Sequence, residues 1–308
     1  MRADPRFADQ PLSFWAYVRT ITEALGSAVR GADAVSSFTV AQMASGLSKL
    51  GRSDRPLGTA SAPSDLARML VDYFEYRAEL LNSHARVDLM IATEAAAEFD
   101  AVALRVGASE AAEIVKDGKV IARDYRLKHT TVRVPMNKQT GEKRAPAFLT
   151  GIVNLTVAFE LQGHSFEEDP RRVPVIDHKG ELYAALSRRM DGAYPSSVNP
   201  IALWEIKEYY YTTTFGSKIS DAVYITALDG YERRELEEVV ETRIQHLVMA
   251  DAFGTWWGMG KSYLCRFVDL VNRGYVHEVL LGREVSRELP AIVRTWLKEE
   301  QPVPRDEP

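Results

Sequence analysis

A chain of 308 residues, 46% hydrophobic and 26% charged, is long enough for one large domain or two ordinary ones and has the balance of a soluble globular protein. No stretch approaches the roughly 20 apolar residues that span a bilayer, the first residues are polar with no apolar signal core, and the lone Cys265 excludes an intrachain disulfide or a cysteine zinc cage; these features point to the cytoplasm. The net charge of −5 is unevenly spread: Lys116 to Arg144 carries nine Lys/Arg against three Asp/Glu, a local +6 that leaves −11 elsewhere, and local charge is what steers a polyanion.

Residues 1–115 read as a first domain, mainly helical from residue 12, with DNA recognition as its candidate role. Leu12–Leu25 forms one helix, closed by Gly26. Thr39 caps a second, Thr39–Leu50, on which Val40, Met43, Leu47 and Leu50 recur at helical spacing before Gly51 ends it. This segment resembles one helix of a helix-turn-helix, the alternative being an ordinary bundle helix, and Arg52 and Arg55 follow it as candidate phosphate contacts. After a Gly/Ser/Pro-rich connection (51–63), Ser64 caps an amphipathic helix with Leu66, Met69, Leu70, Tyr73, Phe74 and Leu81 on one stripe. A further helix is expected over Ala85–Asp100.

The character changes near Lys116, where a second domain (116–308) begins. Val120, Tyr125, Leu127, Val132 and Val134 alternate as in strands. Asn137–Arg144 is a polar loop whose Lys138, Lys143 and Arg144 serve either a solvated turn or phosphate contact. Ala145–Leu161 reads as a helix through Phe148, Ile152, Leu155 and Phe159. Val173–Ile176 and Leu182–Leu186 form a hairpin leading to Asp191, with His178 in its turn. Ile201–Lys207 is a third strand, followed by a helix from Lys218 with Ser217 as its cap. A strand (Ile244–Met249), a helix (Ala252–Val271), a strand (Val276–Leu281), a helix (Arg287–Lys298) and a frayed tail (Gln301–Pro308) complete the chain. The six histidines have no metal spacing, Cys265 sits in a buried-helix pattern, and Gly260-Lys261-Ser262 lacks the earlier glycine of a phosphate loop.

Chemistry concentrates at Asp191 and, after thirteen intervening residues, Glu205-Ile206-Lys207. Side chains two apart on a strand share a face, so a carboxylate and an ammonium lie together at the end of an apolar strand. On an exposed strand such a pair is a solvated ion pair worth little. A second acid from a neighbouring strand gives it another purpose, since two carboxylates can hold a divalent cation. Glu208 faces the other side of the strand, where a solvent role is expected.

An acid at the end of one strand, Glu-X-Lys on the next and a helix after it resembles the PD-(D/E)XK nuclease superfamily, with Met190 standing where its proline often does. The stretch from Pro135 to Leu297 is similar in texture to bacterial restriction and phage-defence endonucleases. The resemblance implies a restriction-endonuclease-like αβββαβ core in a mixed α/β chain behind a mainly helical N-terminal domain. It implies Asp191 and Glu205 as ligands of Mg²⁺ (Mn²⁺ substituting), aided by the Ile206 carbonyl, and Lys207 as the residue orienting the attacking water. It also implies an extra acid on the preceding helix, where Glu160 is the only acid. Lys218, at a helix start after Thr212–Thr214, suits a phosphate. The expected activity is that of a type II-like restriction endodeoxyribonuclease, a homodimer cutting double-stranded DNA to 5′-phosphate and 3′-hydroxyl ends. The alternatives are a RecB-like repair exonuclease, disfavoured because residues 208–244 hold no glutamine, and a non-catalytic DNA-binding subunit of a larger defence complex.

Overall fold

A computed structural model describes residues 1–28, 33–137, 145–211, 217–240 and 243–299. Three helices come first: α1 (Leu12–Leu25), α2 (Val40–Lys49) and α3 (Asp65–Leu80). The expected caps are in place. Thr39 Oγ1 accepts the Gln42 amide N–H while the Gln42 side chain accepts that of Thr39, and Ser64 Oγ accepts the Ala67 N–H. Leu70, Tyr73 and Phe74 of the expected stripe are fully buried against Phe14, Ile21 and Met43.

The helix expected over Ala85–Asp100 is broken. After one π turn (Leu81–Ala85) and the single turn α4 (Arg86–Asp88), the chain extends and restarts as α5 (Ala92–Arg105). The physical reason lies across the fold. The Asp88 carbonyl accepts the Arg283 N–H, the Met90 N–H donates to Asp251 Oδ1 at 2.8 Å, and the Met90 carbonyl accepts the Phe253 N–H. Backbone groups that a helix would pair internally are spent on the end of the main sheet.

β1 (Ser109–Lys116), β2 (Lys119–Arg126) and β3 (Thr131–Pro135) make an antiparallel sheet in that order. β1 lies almost wholly exposed, which is why its sequence lacks an apolar alternation, and its hairpin turn is where the change of character was expected. Beyond it comes α6 (Phe148–Glu160), buried on nearly every side. β4 (Val175–His178) and β5 (Glu181–Ala185) follow, then β6 (Gly192–Tyr194), β7 (Ala202–Glu208), α7 (Ser217–Glu238), β8 (Gln245–Asp251), α8 (Lys261–Asn272), β9 (Glu278–Leu281) and α9 (Glu284–Trp296). The protein is mixed α/β, with a helical region at its N-terminus.

The main sheet has the order β6-β7-β8-β9, antiparallel at its first pair and parallel at the other two. Along β8, Leu247 and Met249 meet the core of α6 and α9, whereas Val248 and Ala250 meet that of α8. Helices therefore cover both faces, as a sheet with parallel strands requires. The later strand–helix unit extends the sheet as expected. The β4–β5 hairpin differs from expectation: it is a two-stranded sheet of its own, touching the main elements through bridges Val175–Val198 and, beside it, Glu167–Ala193. The strand that brings Asp191 to β7 is the short β6.

Candidate active site

Gly192 lies opposite Trp204 in the β6–β7 register. A Cβ at Gly192 would sit 2.0 Å from the indole, so only glycine lets β6 lie on β7 with that ring between them. One residue earlier, the Asp191 N–H donates to the Trp204 carbonyl at 3.1 Å, and Asp191 Oδ2 accepts the Ile206 N–H at 2.8 Å. The side chain thus continues the ladder where the strand stops. The first acid is bonded to the middle residue of Glu-X-Lys.

Glu205 and Lys207 project from the face of β7 that meets α7. Glu205 is 1% exposed and Lys207 is 9% exposed. Glu205 Oε1 accepts from Arg188 Nη1 at 2.7 Å, and Oε2 pairs with the Lys207 ammonium. Arg188 Nη1 also donates to Asp229 Oδ2 on α7 at 2.8 Å. Burial pushes the Glu205 carboxyl up, but Lys207 and Arg188 together outweigh it and hold it below the usual carboxylate range. Asp229 is pushed up to about 6 by burial, with the neighbouring Glu205 charge adding to it, against the pull of Arg188. The two buried acids are thus shifted in opposite directions.

Past Lys207 the chain is aromatic. Glu208 does face the other side of the strand, yet it does not serve solvent: its Oε2 accepts the N–H and the Oγ1 hydroxyl of Thr150, both at 3.1 Å, in the first turn of α6, where a carboxylate is favoured. Burial pushes the Tyr209 hydroxyl up to about 12. The Tyr210 hydroxyl donates to Asp251.

These groups floor a cleft of about 1360 Å³ walled by β2 and β3, the start of α6 and residues 166–172. Asp191, Glu205, Ile206 and Lys207 all line it, as do Arg133, Arg171, Arg172 and Arg188. Glu160 does not. Thr150 lies at the cleft, and Glu160 is ten residues further along α6, roughly 15 Å at the helical rise; its carboxylate accepts from Arg294 at 2.8 Å. Lys218 is exposed in the first turn of α7 and is not part of the cleft lining. Lys138, Lys143 and Arg144, like Thr212–Thr214 and the 301–308 tail, lie outside the described residues.

The donor set of Asp191 and Glu205 consists of hard oxygens, the type that suits Mg²⁺ or Mn²⁺. Each Glu205 oxygen accepts one N–H donor, and a carboxylate oxygen has a second lone pair, so the pair fits a divalent cation completed by water and substrate oxygens. Among the described residues no group of three or more His, Cys, Asp or Glu converges, so no all-protein cage is built. Arg188 and Asp229 escaped the sequence reading. The available signal was Asp229 itself, a carboxylate on the stripe of α7 occupied by Ala222, Thr226 and Arg233, all buried.

A mixed α/β fold with a charged cleft at the end of its main sheet defines the broad class. The chain belongs to the family described as a domain of unknown function, DUF7687, whose model matches residues 90–296. A second model, a domain of unknown function named DUF7690, matches residues 1–84. No curated protein and no solved structure matches the chain. No helix among the described residues is long and apolar enough to cross a membrane.

Proposed function

We propose that this protein is a Mg²⁺-dependent endonuclease of the PD-(D/E)XK type that hydrolyses phosphodiester bonds in double-stranded DNA, in a restriction or phage-defence role. One observation carries the reading: Asp191 is hydrogen-bonded to the amide of Ile206, between a buried Glu205 and Lys207, at the floor of one cleft. Two acids and a lysine in that relation suit phosphoryl chemistry, and a buried, ionised Glu205 is costly without such a purpose.

In this reading Asp191 and Glu205 hold the cation. Bound there, it would lower the pKa of a water and neutralise phosphate oxygens. Lys207 orients the water and counters developing charge. Glu205 keeps its ionised state through Lys207 and Arg188. Arg133, Arg171 and Arg172 line the cleft where a phosphodiester backbone would run. Cutting both strands of a duplex favours two copies acting as a homodimer. Lys218, with Lys138, Lys143 and Arg144, remains a proposed DNA contact; Glu160, paired with Arg294, is not assigned to the cation.

The test is digestion of plasmid, methylated and phage DNA by the purified protein with and without Mg²⁺, beside Asp191→Ala and Lys207→Ala. Cleavage is expected only with metal and only in the wild type, with a loss on the order of 10³-fold or more in either variant. Folding is expected to survive Lys207→Ala because Arg188 still neutralises Glu205. Variants that cleave like the wild type refute the assignment.

A further inference from the structure

Arg188 is fastened by one nitrogen only. Its Nη1 donates to Glu205 and Asp229 at 2.7 and 2.8 Å, with the Met190 sulfur further off at 3.8 Å. The two carboxylate side chains are each 1% exposed, whereas that of Arg188 is 31% exposed. A guanidinium has five N–H groups, two of them on Nη1, so these two acceptors use that nitrogen up. Nε and Nη2 donate to nothing among the described residues. They form the planar edge whose two parallel N–H bonds match two oxygens of a phosphate. The side chain lines the cleft beside Asp191 and Lys207.

Neutralising Glu205, a task Arg188 shares with Lys207, occupies only one N–H of the guanidinium and does not account for the rest of the arrangement. Asp229 is more telling. Its Oδ1 is buried with no hydrogen-bond partner and its Oδ2 bonds Arg188, so α7 accepts an underserved carboxylate in its buried stripe at a real cost. What that carboxylate provides is a second fixed point for Arg188, which sets the plane of the guanidinium and aims its other edge.

We propose that Arg188 is the phosphate clamp of this cleft: Glu205 and Asp229 hold Nη1, and the Nε–Nη2 edge binds two non-bridging oxygens of the scissile phosphodiester, with Asp229 as a positioning residue. The inference rests on reading the cleft as a phosphodiester site. It gives the transition state a bidentate cation on the oxygens where charge grows, in addition to the cation-holding acids and Lys207.

The experiment uses the full chain as wild type, Arg188→Gln, Arg188→Lys and Asp229→Asn, each checked by its unfolding midpoint. Arg188→Ala is avoided because, unlike Gln or Lys, it leaves no N–H donor for the two buried carboxylates. Binding of a labelled DNA duplex without divalent metal is followed across a salt series, and Mg²⁺-dependent cleavage is resolved into kcat and KM on ordinary DNA and on DNA with sulfur in place of a non-bridging oxygen. Arg188→Gln is expected to reduce the slope of log affinity against log salt by about one. Arg188→Lys, which keeps the charge but loses the fork, is expected to lower kcat by roughly 10²-fold and Asp229→Asn by roughly 10-fold. Sulfur is expected to slow the wild type more than Arg188→Lys, a difference that a merely structural role would not produce.

The outcomes separate the two claims. Cleavage by the wild type with all variants within about twofold of it overturns the clamp and leaves the nuclease reading standing. No cleavage, with a salt slope that still depends on Arg188, upholds Arg188 as a phosphate contact of the cleft and overturns both the nuclease reading and the scissile position of that phosphate. No cleavage and no dependence on Arg188 overturns both.

Discussion

Gly192 shows how one missing side chain permits the site. Trp204 is stacked on Trp296 with ring centroids 5.6 Å apart, is fully buried and lies against Gly192, so the indole has little room to move. Gly192→Ala is therefore expected to destabilise the fold by about 3 kcal/mol or more, the upper range for overpacking, and to disturb Asp191, its chain neighbour. Urea unfolding measures the first effect; a loss below about 1 kcal/mol would mean that β6 shifts freely to make room. Glu205 and Lys207 stood out in the sequence because charges interrupt an apolar strand at a spacing of two, and Asp191 because it completes the pattern that the resemblance supplies. Arg188 and Asp229 did not. Arg188 stands three residues before Asp191, in a connection with no periodicity to place it, and Asp229 was one acid in a helix that holds several. Their meeting depends on how α7 crosses β7, which local pattern does not encode.

At the scale of elements, the end of β8 joins three parts of the chain. Asp251 is its last residue and is fully buried, accepting from the Met90 amide before α5 and from the Tyr210 hydroxyl after β7. Burial pushes its carboxyl up to about 8, against those two donors. The sign follows. The folded protein holds a protonated Asp251 while the unfolded chain ionises near pH 4, so the stability this group contributes is full below about pH 4 and is lost as pH rises towards 8, at roughly 1.4 kcal/mol per unit. Asp251→Asn keeps the shape and cannot ionise. Thermal unfolding from pH 4 to 8 is expected to show the wild type losing stability relative to this variant, and parallel curves would refute the buried acid. The contrast between periodic and aperiodic elements explains what was legible here. α2 and α3 carried N-caps and an apolar stripe and α1 a closing glycine, and they fall where expected. The break at Leu89–Ile91 and the hairpin's separation from the main sheet were invisible because both are set by bonds to distant elements, Asp251 and Arg283 in one case and Ser197 and Asn199 in the other.

For the whole molecule, the question is whether the segments matched by the two families, 1–84 and 90–296, stand independently. The contacts argue against it. Arg77 on α3 is 0% exposed and donates to Asp269 of α8 at 3.2 Å and to Thr22 of α1 at 3.3 Å. Tyr73 of α3 donates to the same Asp269 oxygen at 2.5 Å. Ala78 and Leu81 join the core of α8 and the main sheet rather than that of α1 and α2. A buried cation shared by three helices makes their relative placement all-or-none, because removing it leaves Asp269 short of its countercharge in a poorly solvated place. One cooperative transition is therefore expected in calorimetry of the intact chain, and Arg77→Ala is expected to lower its midpoint through a loss of about 3–5 kcal/mol. Two resolved transitions in the wild type would show that the N-terminal helices melt alone and that the Arg77 contact does not bind the segments together. A single transition carries a consequence for the cleft. α8 and α7 pack on the same face of the sheet as Glu205 and Lys207, so loosening Arg77 would reach the geometry of Asp229 and Arg188 through α8, and on the proposed nuclease reading cleavage is expected to fall at temperatures where the variant is still folded.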